Sequence, residues 1–233
     1  RQSLMSDTRS HVALSGGAFG LFLGFSPTIS TVLVVIIAAV FLEYLRTVYK
    51  DFMEIGTAIL MSTGLALALV IMKGGGKSSM SLDQYLFGST LTITDEQVLA
   101  LFIIAAIVLV LTILFIRPMY ILTFDEDTAY VDGLPVRLMS ILFNIVTGVA
   151  IALMIPAAGS LLVSTIMVLP ASIALKLGKT FRSVMLLAVV IGFVGMVSGL
   201  ILSYYPDTPV SATITLLFVS FFLLSNLFVK FRK

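Results

Sequence analysis

Asp7-Thr8-Arg9-Ser10-His11 places a carboxylate and the only histidine of the sequence four residues apart, at the head of an apolar, glycine-rich run from Val12 to Gly20. On a helix, residues i and i+4 share a face, so Asp7 and His11 can offer one oxygen and one imidazole nitrogen to the same divalent cation. The same side chains can also satisfy one another, or Asp7 can pair with Arg9. An ionisable group in hydrocarbon costs roughly 2.5–3.5 kcal/mol on insertion scales, so such groups are seldom kept without a role. With one histidine and no cysteine, the chain has neither a thiolate zinc site nor a His-x-x-x-His hydrolase site. It also has no Gly-x-Ser-x-Gly nucleophile turn and no Gly-x-x-x-x-Gly-Lys-Ser/Thr phosphate loop. If ATP drives this protein, another chain must bind it.

The elements that carry this pair are membrane spans. Of 233 residues, 59% are hydrophobic and 11% charged, with a mean hydropathy of +1.15. That composition belongs to an all-α, polytopic membrane protein, since roughly 20 apolar residues cross a bilayer as a helix. Eight apolar segments are expected, near 4–24, 28–46, 54–73, 97–116, 138–155, 158–175, 183–204 and 210–229. If each crosses once with Arg1 inside, the inner side receives eleven of the fourteen basic residues. The outer side receives only Lys73 and Lys77, and Arg9 lies within the first segment. The positive-inside rule then puts both ends of this chain in the cytoplasm. A net charge of +2 gives no reason to expect nucleic acid as a partner, and a first residue of Arg implies a chain that starts partway into a longer protein.

Two connections exceed a turn. The outer one, from Lys73 to Asp95, contains Leu82-Asp83-Gln84-Tyr85-Leu86-Phe87-Gly88-Ser89, whose apolar spacing fits a short interfacial helix; a solvated connector is the alternative. In the inner one, Arg117 to Arg137, Thr123 and Glu126 have the spacing of a capping box, and Gly133 with Pro135 supplies a stop. This predicts a brief helix whose acids, Asp125, Glu126, Asp127 and Asp132, would be repelled by anionic lipid and so favour a protein partner. The run between Pro156 and Pro170, and the glycines at 192, 195 and 199, are small residues of the kind that let helices pack closely. Asn144, alone in an apolar segment, is expected to make an interhelical hydrogen bond.

Taken together, several motifs resemble the bacterial ABC-type zinc/manganese/iron uptake permeases. Asp7-Thr8-Arg9-Ser10-His11-Val12-Ala13-Leu14-Ser15-Gly16 is similar to that family's Asp-x-x-Ser-His-x-x-Leu-x-Gly helix. Glu54-Ile55-Gly56-Thr57-Ala58, Tyr85-Leu86-Phe87-Gly88-Ser89, Thr123-Phe124-Asp125, Gly133-Leu134-Pro135-Val136, Gly159-Ser160-Leu161-Leu162 and Leu169-Pro170-Ala171 follow in order, so the resemblance covers essentially the whole chain. It implies one transmembrane permease domain over 1–233, of the type II importer kind, lacking a family first helix, in a bacterial plasma or inner membrane. It implies a second permease copy, two cytoplasmic ATP-binding subunits and an extracellular metal-binding lipoprotein or periplasmic protein as partners. It implies Asp7 and His11 as transit ligands for a divalent metal that is cargo, with no resident cofactor. The element over about 120–136 would couple to the ATPase through Phe124, Asp125, Glu126, Gly133, Leu134 and Pro135. Zinc is favoured over manganese or iron, because imidazole suits zinc and the Irving–Williams order places zinc above manganese. The alternative of another class is an ion-coupled secondary transporter, which would typically carry more buried acids and an inverted repeat. Arg9 departs from the family pattern: a cation between the two ligand positions opposes metal entry unless it faces another helix or pairs with an acid. The roles of Arg9 and Glu43 are left open at this point.

Overall fold

The computed structural model describes residues 2–48, 53–74, 82–88, 93–124, 126–204 and 208–231, and every regular element among them is a helix. In chain order these are α1 (Gln2–Leu23), α2 (Pro27–Val48), α3 (Met53–Gly74), α4 (Leu82–Phe87), α5 (Asp95–Phe124), α6 (Glu126–Val131), α7 (Val136–Ala158), α8 (Ser160–Leu177), α9 (Phe181–Tyr204) and α10 (Val210–Phe231). The eight expected segments correspond to the eight long helices. Among the described residues seven of them, α2, α3, α5 and α7 to α10, are long and apolar enough to cross a membrane. The 22 residues of α1 give about 33 Å at 1.5 Å per residue.

Local chemistry sets the boundaries. Pro27 occupies the first position of α2, where a missing N–H costs nothing. A reciprocal capping box starts α5: the Gln97 N–H donates to Thr94 Oγ1 at 3.3 Å, and the Thr94 N–H donates to Gln97 Oε1 at 3.2 Å. Thr180 and Ser183 repeat that exchange ahead of α9.

The helices fall into two compact units. The first holds α1, α2, α3, α5, α6 and α7 through Met154. Here α1 packs against both α2 and α3, and the interior contains Val12, Ala13, Leu14, Val35, Ala39 and Leu42. No described residue of α5 is buried, so this helix, apolar all round, offers its whole surface to lipid or to another chain.

The second unit holds α4, the end of α7 from Ile155, and α8 to α10. Leu162, Ile214 and Phe218 form its core, with Ile166, Leu169 and Ile191 packed against them. Gly192, Gly195 and Gly199 are the buried face of α9. A side chain at Gly195 would run into the Phe218 ring, and one at Gly199 into Ile214. The small-residue stripe is therefore packing surface, as its spacing predicted. At the far ends of α8 and α10, Lys176 Nζ donates to Asn226 Oδ1 and sits 3.7 Å from the centre of the Phe222 ring, a cation–π contact that ties the two helices.

The outer segment around Tyr85 is a helix and not a loose connector. α4 packs on α8 and α10 with Tyr85 buried. Its end meets the break between α7 and α8: a Cβ on Gly88 would lie 2.6 Å from the Ala158 carbonyl carbon, and a Cβ on Gly159 would lie 2.6 Å from the Gly88 nitrogen. Both glycines have positive φ, +70° and +80°.

Candidate functional site

Three neighbours fix α1, the helix that carries the aspartate and histidine positions. Against α3, Thr8 Oγ1 donates to the Thr57 carbonyl at 3.4 Å. Where Gly64 faces α1, a Cβ would stand 3.1 Å from Val12 Cα and 3.2 Å from the His11 carbonyl oxygen. The α3 backbone can therefore press on α1 at the level of His11 because position 64 has no side chain. Against α2, Gly16 faces Thr31 and Val34 in the same way. An apolar groove of about 750 Å³ opens between α1, α2 and α3, lined among others by Val12, Phe19, Ile37, Phe41 and Ile59. Its lining is mostly apolar, and the Ser15 hydroxyl on it is bonded to the Val12 carbonyl at 2.7 Å.

The third neighbour is α7, reached through a buried polar network. An Arg9 Nη2 proton is donated to Asn144 Oδ1 at 2.5 Å. Asn144 Nδ2 donates to Glu43 Oε2 at 2.7 Å, and Ser140 Oγ donates to the same oxygen at 2.9 Å. Arg9, Glu43, Ser140 and Asn144 are 2%, 4%, 4% and 3% exposed. The amide of Asn144 turns its acceptor end to the cation and its donor end to the carboxylate, so one residue of α7 links the charge on α1 to the charge on α2. A Cβ on Gly148 of α7 would lie 2.7 Å from Val35 Cγ1 and 3.7 Å from Arg9 Cδ.

These contacts settle the direction of Arg9. Residues two apart on a helix are turned by about 200°, so Arg9 points away from the face shared by positions 7 and 11, into the α2 and α7 side. α1 is helical without interruption from Gln2 to Leu23, which keeps residues 7 and 11 one turn apart. His11 is half-buried. The side chain of Asp7 lies outside the described ones, and no group of three or more His, Cys, Asp or Glu stands together among the described residues. The interhelical bond expected of Asn144 is present. Glu43 and Ser140 were not assigned a role by sequence reasoning. The signal for Glu43 was its position, a lone acid near the end of an apolar segment.

The second candidate region, over 120–136, needs one correction. Thr123 is not a helix cap: it lies in the last turn of α5, and its Oγ1 donates back to the Met119 carbonyl at 2.7 Å. Helix α5 simply runs longer than its expected end near residue 116, and Phe124 is its last residue. Phe124 is exposed, with its ring centre 4.8 Å from that of Tyr120. Asp125 and the side chain of Glu126 lie outside the described ones. The brief helix itself is α6, and Gly133 ends it as expected. With φ +76°, Gly133 donates to the Tyr130 carbonyl at 3.1 Å, and Leu134 donates to the Ala129 carbonyl at 3.1 Å. Those two bonds form a Schellman motif. Pro135 then precedes α7, and its carbonyl receives the Met139 N–H at 3.0 Å. Of α6, Ala129 is buried, whereas Tyr130 and Val131 are 77% and 84% exposed, an aromatic and aliphatic pair that the acidic pattern had overshadowed.

Long apolar helices, a buried charged network and a short helix between two of the spans define a polytopic helical membrane protein. The family model of the ABC 3 transport family matches residues 1–229, and the chain belongs to that family. It is the translocating kind of subunit, without catalytic machinery of its own. It is 28% identical over 225 residues to the high-affinity zinc uptake system membrane protein ZnuB of Haemophilus influenzae, covering 97% of this chain and 86% of that one. It is also 28% identical to the manganese import system permease protein ScaB of Streptococcus parasanguinis, over 96% and 79%. Among solved structures, PsaBC from Streptococcus pneumoniae in complex with Fab superposes with a TM-score of 0.83 at 28% identity, covering 96% of this chain and 80% of that one.

Proposed function

We propose that this chain is the permease subunit of an ATP-driven importer of a divalent metal, most readily zinc, and that Asp7 and His11 are its transit ligands. What supports this most is α1 itself. Its unbroken helix keeps positions 7 and 11 on one face while Arg9 is turned to the opposite side and held there. Imidazole with a carboxylate is a donor set that zinc accepts well, and few ligands suit an ion that must leave again. The relatives named for zinc and for manganese uptake support divalent metal as the cargo class, and the donor chemistry favours zinc. The whole of 1–233 acts as one permease domain, paired with a second copy. Two ATP-binding subunits lie on the cytoplasmic side, and a metal-binding protein delivers the ion from outside. Both chain ends face the cytoplasm, an orientation supported by the excess of Lys and Arg in the loops of that side.

The test is uptake of radioactive zinc and manganese by cells carrying the complete transporter. Asp7→Asn and His11→Ala are expected to lose uptake at least as severely as the roughly 10–100-fold that loss of an outer-shell partner costs a metal site. Normal uptake by both, at normal membrane levels, would exclude the transit role. Zinc uptake that manganese cannot suppress at equal concentration would support the zinc assignment, and the reverse would replace it.

In the same reading α6 is the element that seats against the ATPase, with Phe124, Asp125, Glu126, Gly133, Leu134 and Pro135 around it. Charge reversal at Asp125 and Glu126 together is expected to weaken that assembly. Tyr130→Asp is expected to weaken it further, because exposed aromatic anchors carry about 2 kcal/mol or more at interfaces. Co-purification of the ATPase with the permease reads both out, and full recovery of the complex from the Tyr130 variant would count against α6 as the contact.

A further inference from the structure

We propose that Glu43 is the counter-charge that makes the metal path passable, neutralising Arg9 through Asn144. This rests on the reading that the ion passes the Asp7 and His11 face of α1. On ideal helix geometry the Cα atoms of residues 9 and 11 are about 5.4 Å apart; the guanidinium reaches out from the opposite face, so its charge acts on the ligand positions across the width of α1. Arg9 is 2% exposed, and a charge away from water is screened far less than one at a surface. Left alone, it would repel a divalent ion with twice the force it exerts on a monovalent one. Among the described residues Arg9 Nε has no hydrogen-bond partner, and Nη2 carries the bond that leaves α1. What it reaches is an amide whose other end is bonded to a carboxylate 4% exposed. Arg9, Asn144 and Glu43 together form a neutral unit, and the ion meets a dipole where it would otherwise meet a cation.

Two substitutions separate charge from shape. In Glu43→Gln the amide oxygen can still accept the bonds from Asn144 Nδ2 and Ser140 Oγ, so the geometry is kept and the charge is lost. In Glu43→Asp the charge is kept and the reach is shortened by one methylene. A merely structural residue would tolerate Gln and resent Asp; a counter-charge does the opposite.

The measurement is zinc uptake against zinc concentration by cells with the complete transporter, with permease in the membrane quantified for each variant. Glu43→Gln is expected to raise the half-saturating zinc concentration roughly tenfold or more while the maximal rate changes less. Glu43→Asp is expected to stay near the parent protein. Arg9→Gln combined with Glu43→Gln is expected to recover most of the shift, since the cation and its missing partner are then both gone. If Glu43→Gln does not accumulate, the recovery of the double variant and the near-normal Glu43→Asp still read out the charge. An unchanged half-saturation in Glu43→Gln, or a double variant no better than the single one, would overturn the inference. His11→Ala serves as the control. Lost uptake there with an unshifted Glu43→Gln removes the counter-charge alone. Intact uptake in His11→Ala removes the transit reading, and this inference with it.

Discussion

Asn144→Leu should leave a permease that can barely be recovered folded from the membrane. Asn144 bonds both Arg9 on α1 and Glu43 on α2, and leucine at that position can neither accept nor donate. Two opposite charges would remain, each more than nine-tenths buried, with the group that joined them gone. Leaving a buried donor and a buried acceptor without the partner they had costs about 1–3 kcal/mol each, and more for charged groups, a large share of the roughly 5–15 kcal/mol that holds a domain folded. Asn144→Gln keeps both an acceptor and a donor, one methylene further out, so a smaller loss is expected. Thermal unfolding of the purified permease, followed by size-exclusion profile, orders the variants. A midpoint for Asn144→Leu equal to that of the parent would mean that the network contributes nothing to holding α1, α2 and α7.

The second large effect is expected at Gly159. Its φ of +80° and ψ of 153° fall in a backbone region that is essentially reserved for glycine. A non-glycine residue there costs about 1–3 kcal/mol for the backbone alone. The added Cβ would also collide with the backbone at the end of α4, at Phe87 and Gly88. Neither backbone can yield without undocking α4, which carries the buried Tyr85. Gly133→Ala provides the internal comparison: its φ is also positive, +76°, but a Cβ there meets nothing within 4 Å. Gly133→Ala should therefore show only the backbone penalty, about 1–2 kcal/mol. Gly159→Ala should in addition make the segment over 82–88 accessible to protease. Equal thermal midpoints for the two alanine variants would contradict the close approach described between α4 and the α7–α8 break.

Periodicity and apolar length were enough to locate the long helices, because a span must satisfy its own backbone hydrogen bonds and its length is set by the bilayer. Gly133 was legible as a stop for a comparable local reason, since a helix end needs a left-handed residue there. Thr123 was misleading because a threonine hydroxyl satisfies a carbonyl in the preceding turn as readily as it caps a helix, and only the continuation of α5 decides between them. Asn144 could be read as an interhelical donor, yet its partners could not be named. Arg9 and Glu43 lie 135 and 101 residues from it, and their meeting depends on how three helices pack. The same limit applies to Gly88 and Gly159, which the sequence places in separate segments and which meet across 71 positions.

Pro118 gives α5 a mechanical character. It sits inside a helix of 30 residues, about 45 Å long, well beyond the roughly 30 Å hydrocarbon thickness of a bilayer. Having no N–H, it leaves the Leu114 carbonyl without its usual donor from four residues ahead, so stiffness drops at that turn while the rest of the rod keeps its full ladder. The piece from Pro118 to Phe124 is a stub of about 9 Å, and α6 starts at Glu126. A bend of about 10° at the soft turn carries the tip roughly 1.5 Å sideways by that length. α5 is thus a shaft with one pre-weakened joint, where a small angle in the span becomes a shift of about one bond length at its end.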